Sequence, residues 1–296
     1  MRDITSLEYR ETFAATQQLP TAAIPTMLPT LNKLLRDEGG GTGLAPGWVC
    51  VIGANPGHAK TLIGLNLAAS ALSHGHPVGY VSLEMSTNQL ASRYYAIQSG
   101  LPVASIERGS FNPRIWDKVE GSVAAMPPLY APDKVSSRWE DVVRFVKETH
   151  DDHNVKFYVL DYIQLCAIGD LQSITDGISN VTTDLRAWAV NNDAVMVILS
   201  QFNRQSSSDY QTRPRSQSLL GGTILEASAD VCALVNHAAF KREHSSNGTS
   251  RALTYLCIDK NRHGPAQVDI PIEISFSNLR VSEPLPDVLD EWPDPK

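Results

Sequence analysis

The segment Gly53-Ala54-Asn55-Pro56-Gly57-His58-Ala59-Lys60-Thr61 closes an apolar run, Val49 to Gly53, and opens a stretch, Leu62 to Leu72, that reads as a helix. Strand, glycine-bearing turn and helix in this order form a phosphate-binding loop: backbone N–H groups face the anion and the helix N-terminus stands behind it. A lysine that reaches the outer phosphates and a hydroxyl that meets Mg²⁺ complete the motif, and Lys60 and Thr61 supply them. The predicted nucleotide-binding residues are Asn55, Pro56, Gly57, His58, Ala59, Lys60, Thr61 and Leu62. Ala59 replaces the usual glycine before the lysine, a change that a negative φ would tolerate. A chance Gly/Pro turn is the competing reading, and the strand before it and the helix after it count against that.

Outward from the loop, apolar runs of strand length alternate with helical patterns from Trp48 to about Val281. Strands are predicted at Val49 to Gly53, Val78 to Leu83, Phe157 to Leu160, Val195 to Ser200, Val231 to Asn236 and Thr254 to Asp259. Apolar residues at consecutive positions indicate cover on both faces. Ile174, Ile178, Val181, Leu185 and Trp188 fall on one helical face. The fold class is α/β, a mostly parallel sheet flanked by helices. Residues 41–281 are the predicted body, with an arm and linker over 1–40 before it and an acidic, proline-rich tail over 282–296 after it. Pro20, Pro25 and Pro29 stop the mildly helical stretch Thr5 to Ala15 from running into the body.

The chain has 296 residues, 42% hydrophobic and 19% charged, with a net charge of -7. That composition suits a soluble domain with a core of its own. No apolar stretch approaches the ~18 residues of a membrane span. Met1 to Glu8 carries acids where a secretory signal would be apolar, so no export is expected. Cys50, Cys166, Cys232 and Cys257 stand singly in apolar runs and are expected to be buried, reduced thiols. The net charge leaves room for a local basic stripe, and Lys241, Arg242, Arg251, Lys260 and Arg262 outnumber Glu243 and Asp259 in their segment.

A phosphate loop implies a nucleotide but no particular reaction. Phe157 to Asp161 is an apolar strand ending in one carboxylate, the place for a group that orients Mg²⁺ through its water shell. Hydrolysis also needs a carboxylate to position and deprotonate water. Glu84, after Val81-Ser82-Leu83, is the candidate, because the ends of parallel strands open onto one crevice. A glutamate at a strand end is otherwise an ordinary solvated charge.

Taken in order, these segments resemble the RecA-like motor domain of the DnaB-type replicative helicases, from Leu31 to about Ile274. Ser82-Leu83-Glu84-Met85 with Gln89-Leu90 and Arg93 is similar to the segment carrying that family's catalytic glutamate. Leu160-Asp161-Tyr162-Ile163-Gln164-Leu165 resembles its metal-orienting strand, and Leu199-Ser200-Gln201-Phe202-Asn203-Arg204 its sensor strand, in which Gln201 would report the γ-phosphate toward the DNA loops. Lys260-Asn261-Arg262-His263-Gly264-Pro265 resembles the segment that reaches a neighbour's nucleotide. The resemblance implies a RecA-like ATPase core that uses ATP and Mg²⁺ and forms a homo-oligomeric ring, a hexamer, with active sites at subunit interfaces. It also implies that the ring encloses single-stranded DNA, that the arm docks on an adjacent subunit, and a bacterial cytoplasm or a phage-infected cell as the setting. Loader and primase partners stay unidentified.

Two features depart from the family pattern. Its members carry a helical N-terminal domain that contacts primase, whereas only residues 1–40 precede the body here, and Ser218-Leu219-Leu220-Gly221-Gly222 leans toward the recombinase branch of RecA-like proteins. The polar loop Gln205 to Gln217, with Arg204, Arg213 and Arg215 around Tyr210, is the predicted DNA contact, and a plain surface loop would have similar composition. Lys260 and Arg262, two apart in an extended segment, point the same way and could converge on one anion, or could be solvated cations before a turn. Three functions are open at this point: a DNA-unwinding motor, a recombinase-like or clock-like ATPase that assembles without unwinding, and a nucleotide-gated adaptor.

Overall fold

The structure is a computed structural model that describes residues 23–36, 40–108, 113–133, 136–166, 174–203, 212–236, 239–244 and 250–284. Its strands are β1 (Val49–Ala54), β2 (Val78–Ser82), β3 (Leu129–Tyr130), β4 (Phe157–Asp161), β5 (Val195–Gln201), β6 (Val231–Val235), β7 (Lys241–His244), β8 (Ser250–Asn261), β9 (Val268–Ser275) and β10 (Val281–Ser282). The helices among the described residues are α1 (Pro29–Leu34), α2 (Lys60–Ser73), α3 (Thr87–Ser99), α4 (Val103–Glu107), α5 (Pro113–Val123), α6 (Trp139–His153), α7 (Ile163–Cys166), α8 (Ile174–Asn191) and α9 (Gly222–Ser228).

One sheet contains all ten strands, in the order β10-β9-β8-β6-β1-β5-β4-β2-β3, with β7 paired to the start of β8. The run from β6 to β3 is parallel, and β8, β9 and β10 extend it antiparallel. Side chains alternate along β1: Cys50, Ile52 and Ala54 join the core on the α2 side, and Val49 and Val51 join the core under α6 and α8. Of the predicted helical face, Ile178, Val181 and Leu185 of α8 are buried there and Trp188 packs against them, whereas Ile174, at the first position of the helix, is 42% exposed. All four cysteines are buried thiols, and burial pushes the Cys50 and Cys166 thiols up to about 12.

Each of the six predicted strands is present. β9 was not predicted, although its burial alternates as a strand should. Pro271 in its middle reads as a breaker, and it is tolerated because β10 pairs only with Glu273 and Ile274, leaving Pro271 on an open edge. A second difference concerns the arm. Ile24, Leu28, Leu31 and Leu35, assigned by sequence to the segment before the body, are 0–3% exposed and belong to the main core. Pro29 and the helix it opens dock on the sheet instead of ending the fold: Ile24 bridges Leu44, and Glu283 accepts hydrogen bonds from the Thr30 N–H and hydroxyl, both at 2.7 Å. The stretch Thr5 to Ala15 lies outside the described residues, as does the chain beyond residue 284.

β8 carries one irregularity. Cys232 faces Lys260 but Ala233 faces Ile258, so Asp259 is an extra residue in the ladder. A bulge of this kind bends its strand and re-aims the side chain. Asp259 accepts from the Ser216 N–H and hydroxyl, both at 2.7 Å, and stands 3.4 Å from Arg213 and Arg215.

Candidate active site

The C-terminal ends of β1, β5, β4 and β2 open on one edge of the sheet, and a cleft of about 430 Å³ lies there. Asn55, Pro56, Gly57, Ala59, Lys60, Thr61 and Leu62 line it, together with Glu84, Arg93 and Gln201. The phosphate loop, the proposed base and the sensor glutamine are thus brought together from three separate strands. Val103, Glu107, Phe276 and Leu279 form the remaining wall. Sequence reasoning missed that wall, because its residues come from distant segments and carry no local motif.

Lys60 is 6% exposed and its ammonium lies 3.0 Å from Asp161 Oδ1. Asp161 is fully buried, and its other oxygen accepts from the Tyr80 hydroxyl at 3.1 Å. Burial, reinforced by the Asp161 charge, holds the Tyr80 hydroxyl well above its ordinary pKa, so it remains a donor. The Lys60 ammonium also sits 4.1 Å over the ring of Tyr162. Burial raises the Tyr162 hydroxyl too, and the charge of Glu84 adds to the shift. Tyr80 was not foreseeable as a site residue; it enters the site because β2 and β4 pair in register, Ser82 opposite Asp161. Gln164 ties the sensor strand down: its Nε2 donates to Ser200 at 2.7 Å and to the Leu220 carbonyl at 3.2 Å. On the outer side of the loop, Arg242 of β7 donates to the Gly57 carbonyl at 2.7 Å.

Ala59 corrects the sequence reading. Its φ is +65°, the left-handed conformation, not the negative value expected of alanine. That geometry costs an alanine about 1–2 kcal/mol that a glycine does not incur. Ala59→Gly removes it but frees the unfolded chain, which returns about 0.5–1 kcal/mol. The expected net effect is about 0.5–1 kcal/mol of added stability, read as a melting temperature about 2 °C higher. An unchanged or lower melting temperature would show that the methyl group contributes packing that offsets the strain.

Lys260 and Arg262 lie elsewhere. β8 runs antiparallel to β6, so its end reaches the N-terminal edge of the parallel strands, opposite the phosphate loop. Lys260 donates to the Glu226 carbonyl at 2.5 Å, and Arg262 lies 3.0 Å from Asp230. Both reach the segment from Glu226 to Asp230 that leads into β6, each on acceptors of its own. Arg213 is 17% exposed and paired with Asp269 at 2.8 Å and Asp259 at 3.4 Å. It pins the end of its loop to β8 and β9, a role the loop's composition could not reveal. Arg215 is 58% exposed, and Arg204 and Tyr210 lie outside the described residues. Gly221 has φ +79° and a Cβ there would meet Ile178 at 2.9 Å, while a Cβ on Gly222 would meet the Ser216 carbonyl at 2.4 Å. Backbone geometry therefore accounts for this glycine pair.

A mostly parallel sheet with a phosphate loop after β1, a glutamate just beyond β2, an aspartate ending β4 and a glutamine ending β5 has the arrangement of the RecA-like class of phosphate-loop proteins. The solved ATPase domain of G40P matches 96% of this chain and 100% of its own at a TM-score of 0.75 and 20% identity. Residues 24–279 match the family described as the DnaB-like helicase C terminal domain, and the chain belongs to that family. A probable plasmid replicative DNA helicase of Chlamydia psittaci is 26% identical over 75% of this chain and 48% of its own length. The replicative DNA helicase DnaB of Leifsonia xyli subsp. xyli is 23% identical over 86% of this chain and 54% of its own. The chain thus spans about half the length of the curated relatives it matches. Among the described residues no helix is long and apolar enough to cross a membrane.

Proposed function

We propose that this chain is the ATP-hydrolysing motor of a ring-forming replicative DNA helicase, which moves along single-stranded DNA and unwinds the duplex ahead of it. The observation that carries this reading is the meeting of Lys60, Thr61, Glu84 and Gln201 in one cleft of a chain from the DnaB-like family. Lys60, paired with Asp161 here, would turn its ammonium to the outer phosphates of ATP. The Thr61 hydroxyl is an oxygen donor that a hard cation takes directly, and the Asp161 carboxylate would orient that cation through its water shell; the contacts of Asp161 with Lys60 and Tyr80 hold the carboxylate beside the loop. Bound Mg²⁺ supplies charge neutralisation across the phosphates.

Glu84 is exposed on the cleft wall, where it orients and deprotonates the attacking water. Gln201 ends the strand that leads directly to the loop beyond it, so a contact between its amide and the γ-phosphate bears on that loop. Arg215 in the loop and Arg204 just before it are the cations assigned to DNA phosphates, and Arg213 sets the loop's end. Lys260 and Arg262, on the opposite edge, act on the nucleotide of an adjacent subunit, so that a ring of subunits, a hexamer, is the working form. The cytoplasm of a bacterium or of a phage-infected cell is the matching location.

The alternative of an ATPase that assembles without unwinding drew on the short segment before the body and on Gly221-Gly222, and packing explains the glycine pair without it. A forked-duplex unwinding assay beside ATP turnover, with and without single-stranded DNA, tests the choice. Turnover without unwinding would favour the alternative. Glu84→Gln is expected to bind ATP normally and to turn over about 100-fold more slowly, the scale of a lost general base; parallel loss of binding and turnover would make Glu84 structural.

A further inference from the structure

Asp230, immediately before β6, lies at the N-terminal edge of the sheet and is 3% exposed. Its Oδ2 accepts from the Val49 N–H at 2.9 Å and from Arg186 Nη1 at 2.9 Å, and its Oδ1 from Arg186 Nη2 at 3.2 Å. The same Oδ1 stands 3.0 Å from Arg262 Nη1. One carboxylate therefore faces two guanidinium groups. Arg186 satisfies it bidentately, from a more buried position, 26% exposed against 43% for Arg262.

Arg262 is held at three points. Its backbone N–H donates to the Asp230 carbonyl at 2.8 Å, Nη1 meets the Asp230 carboxylate, and Nη2 donates to the Ala227 carbonyl at 3.4 Å. His263, stacked on Trp48 with ring centroids 4.2 Å apart, brings its Nε2 to 3.8 Å from the same Asp230 oxygen. A guanidinium has five N–H donors in a rigid fork, so these contacts orient the group and still leave donors for a second anion. Two cations on one carboxylate also leave a local excess of positive charge, which favours an incoming phosphate. The arrangement differs from a simple strand tie. The Val49 N–H alone would anchor β1, and it requires only an oxygen acceptor and no charge.

We propose that Asp230 is the positioning residue for Arg262, fixing its guanidinium in the orientation in which it meets the nucleotide of the adjacent subunit; the inference rests on the role in trans given to Arg262 above. A side chain already held in place avoids being ordered at the moment of reaction, and misplacing a catalytic group by about 1 Å costs as much as 10²-fold in rate.

The test is a crossed mixture of full-length subunits. Lys60→Ala subunits have no working loop and keep Arg262, whereas Arg262→Ala subunits have a working loop and no Arg262. Mixed, they are expected to recover turnover at interfaces that pair the intact loop with the intact arginine. Asp230→Asn, which keeps an acceptor for Val49, is then added to one partner at a time. In the Lys60→Ala subunit it is expected to lower the recovered turnover about 10- to 100-fold without changing the KM for ATP. In the Arg262→Ala subunit it is expected to change nothing. Asp230→Glu, which keeps the charge and shifts the carboxylate by one methylene, is a second donor variant expected to show the same asymmetry if Asp230→Asn subunits fail to assemble. Equal loss in both placements, or loss in neither, overturns the role of Asp230 while leaving the role of Arg262 standing. No recovery in the plain mixture, with co-assembly demonstrated, overturns the trans role and this proposal with it.

Discussion

Lys60→Ala is expected to abolish ATP turnover and, without nucleotide, to lower the protein's stability as well. The first effect follows from the loss of the cation, at the start of α2, that is proposed to meet the outer phosphates. The second follows from the pair it leaves behind. Asp161 has no exposure to solvent, and its partners are Lys60 and the Tyr80 hydroxyl. Removing one member of a buried ion pair typically costs about 3–5 kcal/mol, because the remaining charge is stranded. A domain of ordinary stability, about 5–15 kcal/mol, remains folded after that loss. Thermal melts of the nucleotide-free variant should thus shift downward, and Lys60→Ala with Asp161→Asn should recover much of the shift without recovering turnover. Near-normal turnover in the single variant would remove the phosphate-loop assignment; an unshifted melt would mean that the Lys60 and Asp161 contact contributes nothing in solution.

Arg262→Ala is expected to reduce hydrolysis by about 10³-fold, the scale of a lost arginine that stabilises charge on a transferring phosphoryl group. Nucleotide affinity and assembly should be nearly unchanged. The geometry behind this is the placement of Arg262 at the edge opposite the loop. The six residues of β1 alone extend about 20 Å between the two edges, too far for Arg262 to serve the phosphates bound by its own subunit. Equilibrium binding of a fluorescent nucleotide, size by light scattering and steady-state turnover together separate the outcomes. Full activity would return Arg262 to the status of a surface cation held by Asp230, and loss of assembly would make it an interface residue.

The parts of this site that were legible in the sequence are those written in contiguous residues. The phosphate loop and Asp161 at the end of an apolar run need only local pattern and the rule that parallel strands present their C-terminal ends together, whereas Gln201 was legible only through the family resemblance of its segment. Glu84 was legible by the same rule, although β2 stops at Ser82 and the glutamate sits just beyond it. What stayed hidden depends on register or on a backbone angle. The contact of Tyr80 with Asp161 is set by the pairing of β2 with β4. Ala59 looked harmless until its φ was known. Arg213 has the composition of a DNA contact, yet Asp259 and Asp269, some fifty residues on, engage its charge. The body's start was misplaced for a similar reason: the prolines before residue 30 signal interruption, while the spacing of Leu28, Leu31 and Leu35 records burial.

β8 has a mechanical aspect. Its twelve residues span about 40 Å. One end is knitted through β7 and Arg242 to the lip of the subunit's own phosphate loop, and the other presents Arg262 at the far edge. It acts as a tie-rod across the whole subunit, with a single joint in its pairing to β6, at Asp259. The same residue anchors the returning limb of the loop assigned to DNA. Tension arriving through that limb would bear on the rod at this joint, three residues short of Arg262 and nine from the end that meets β7.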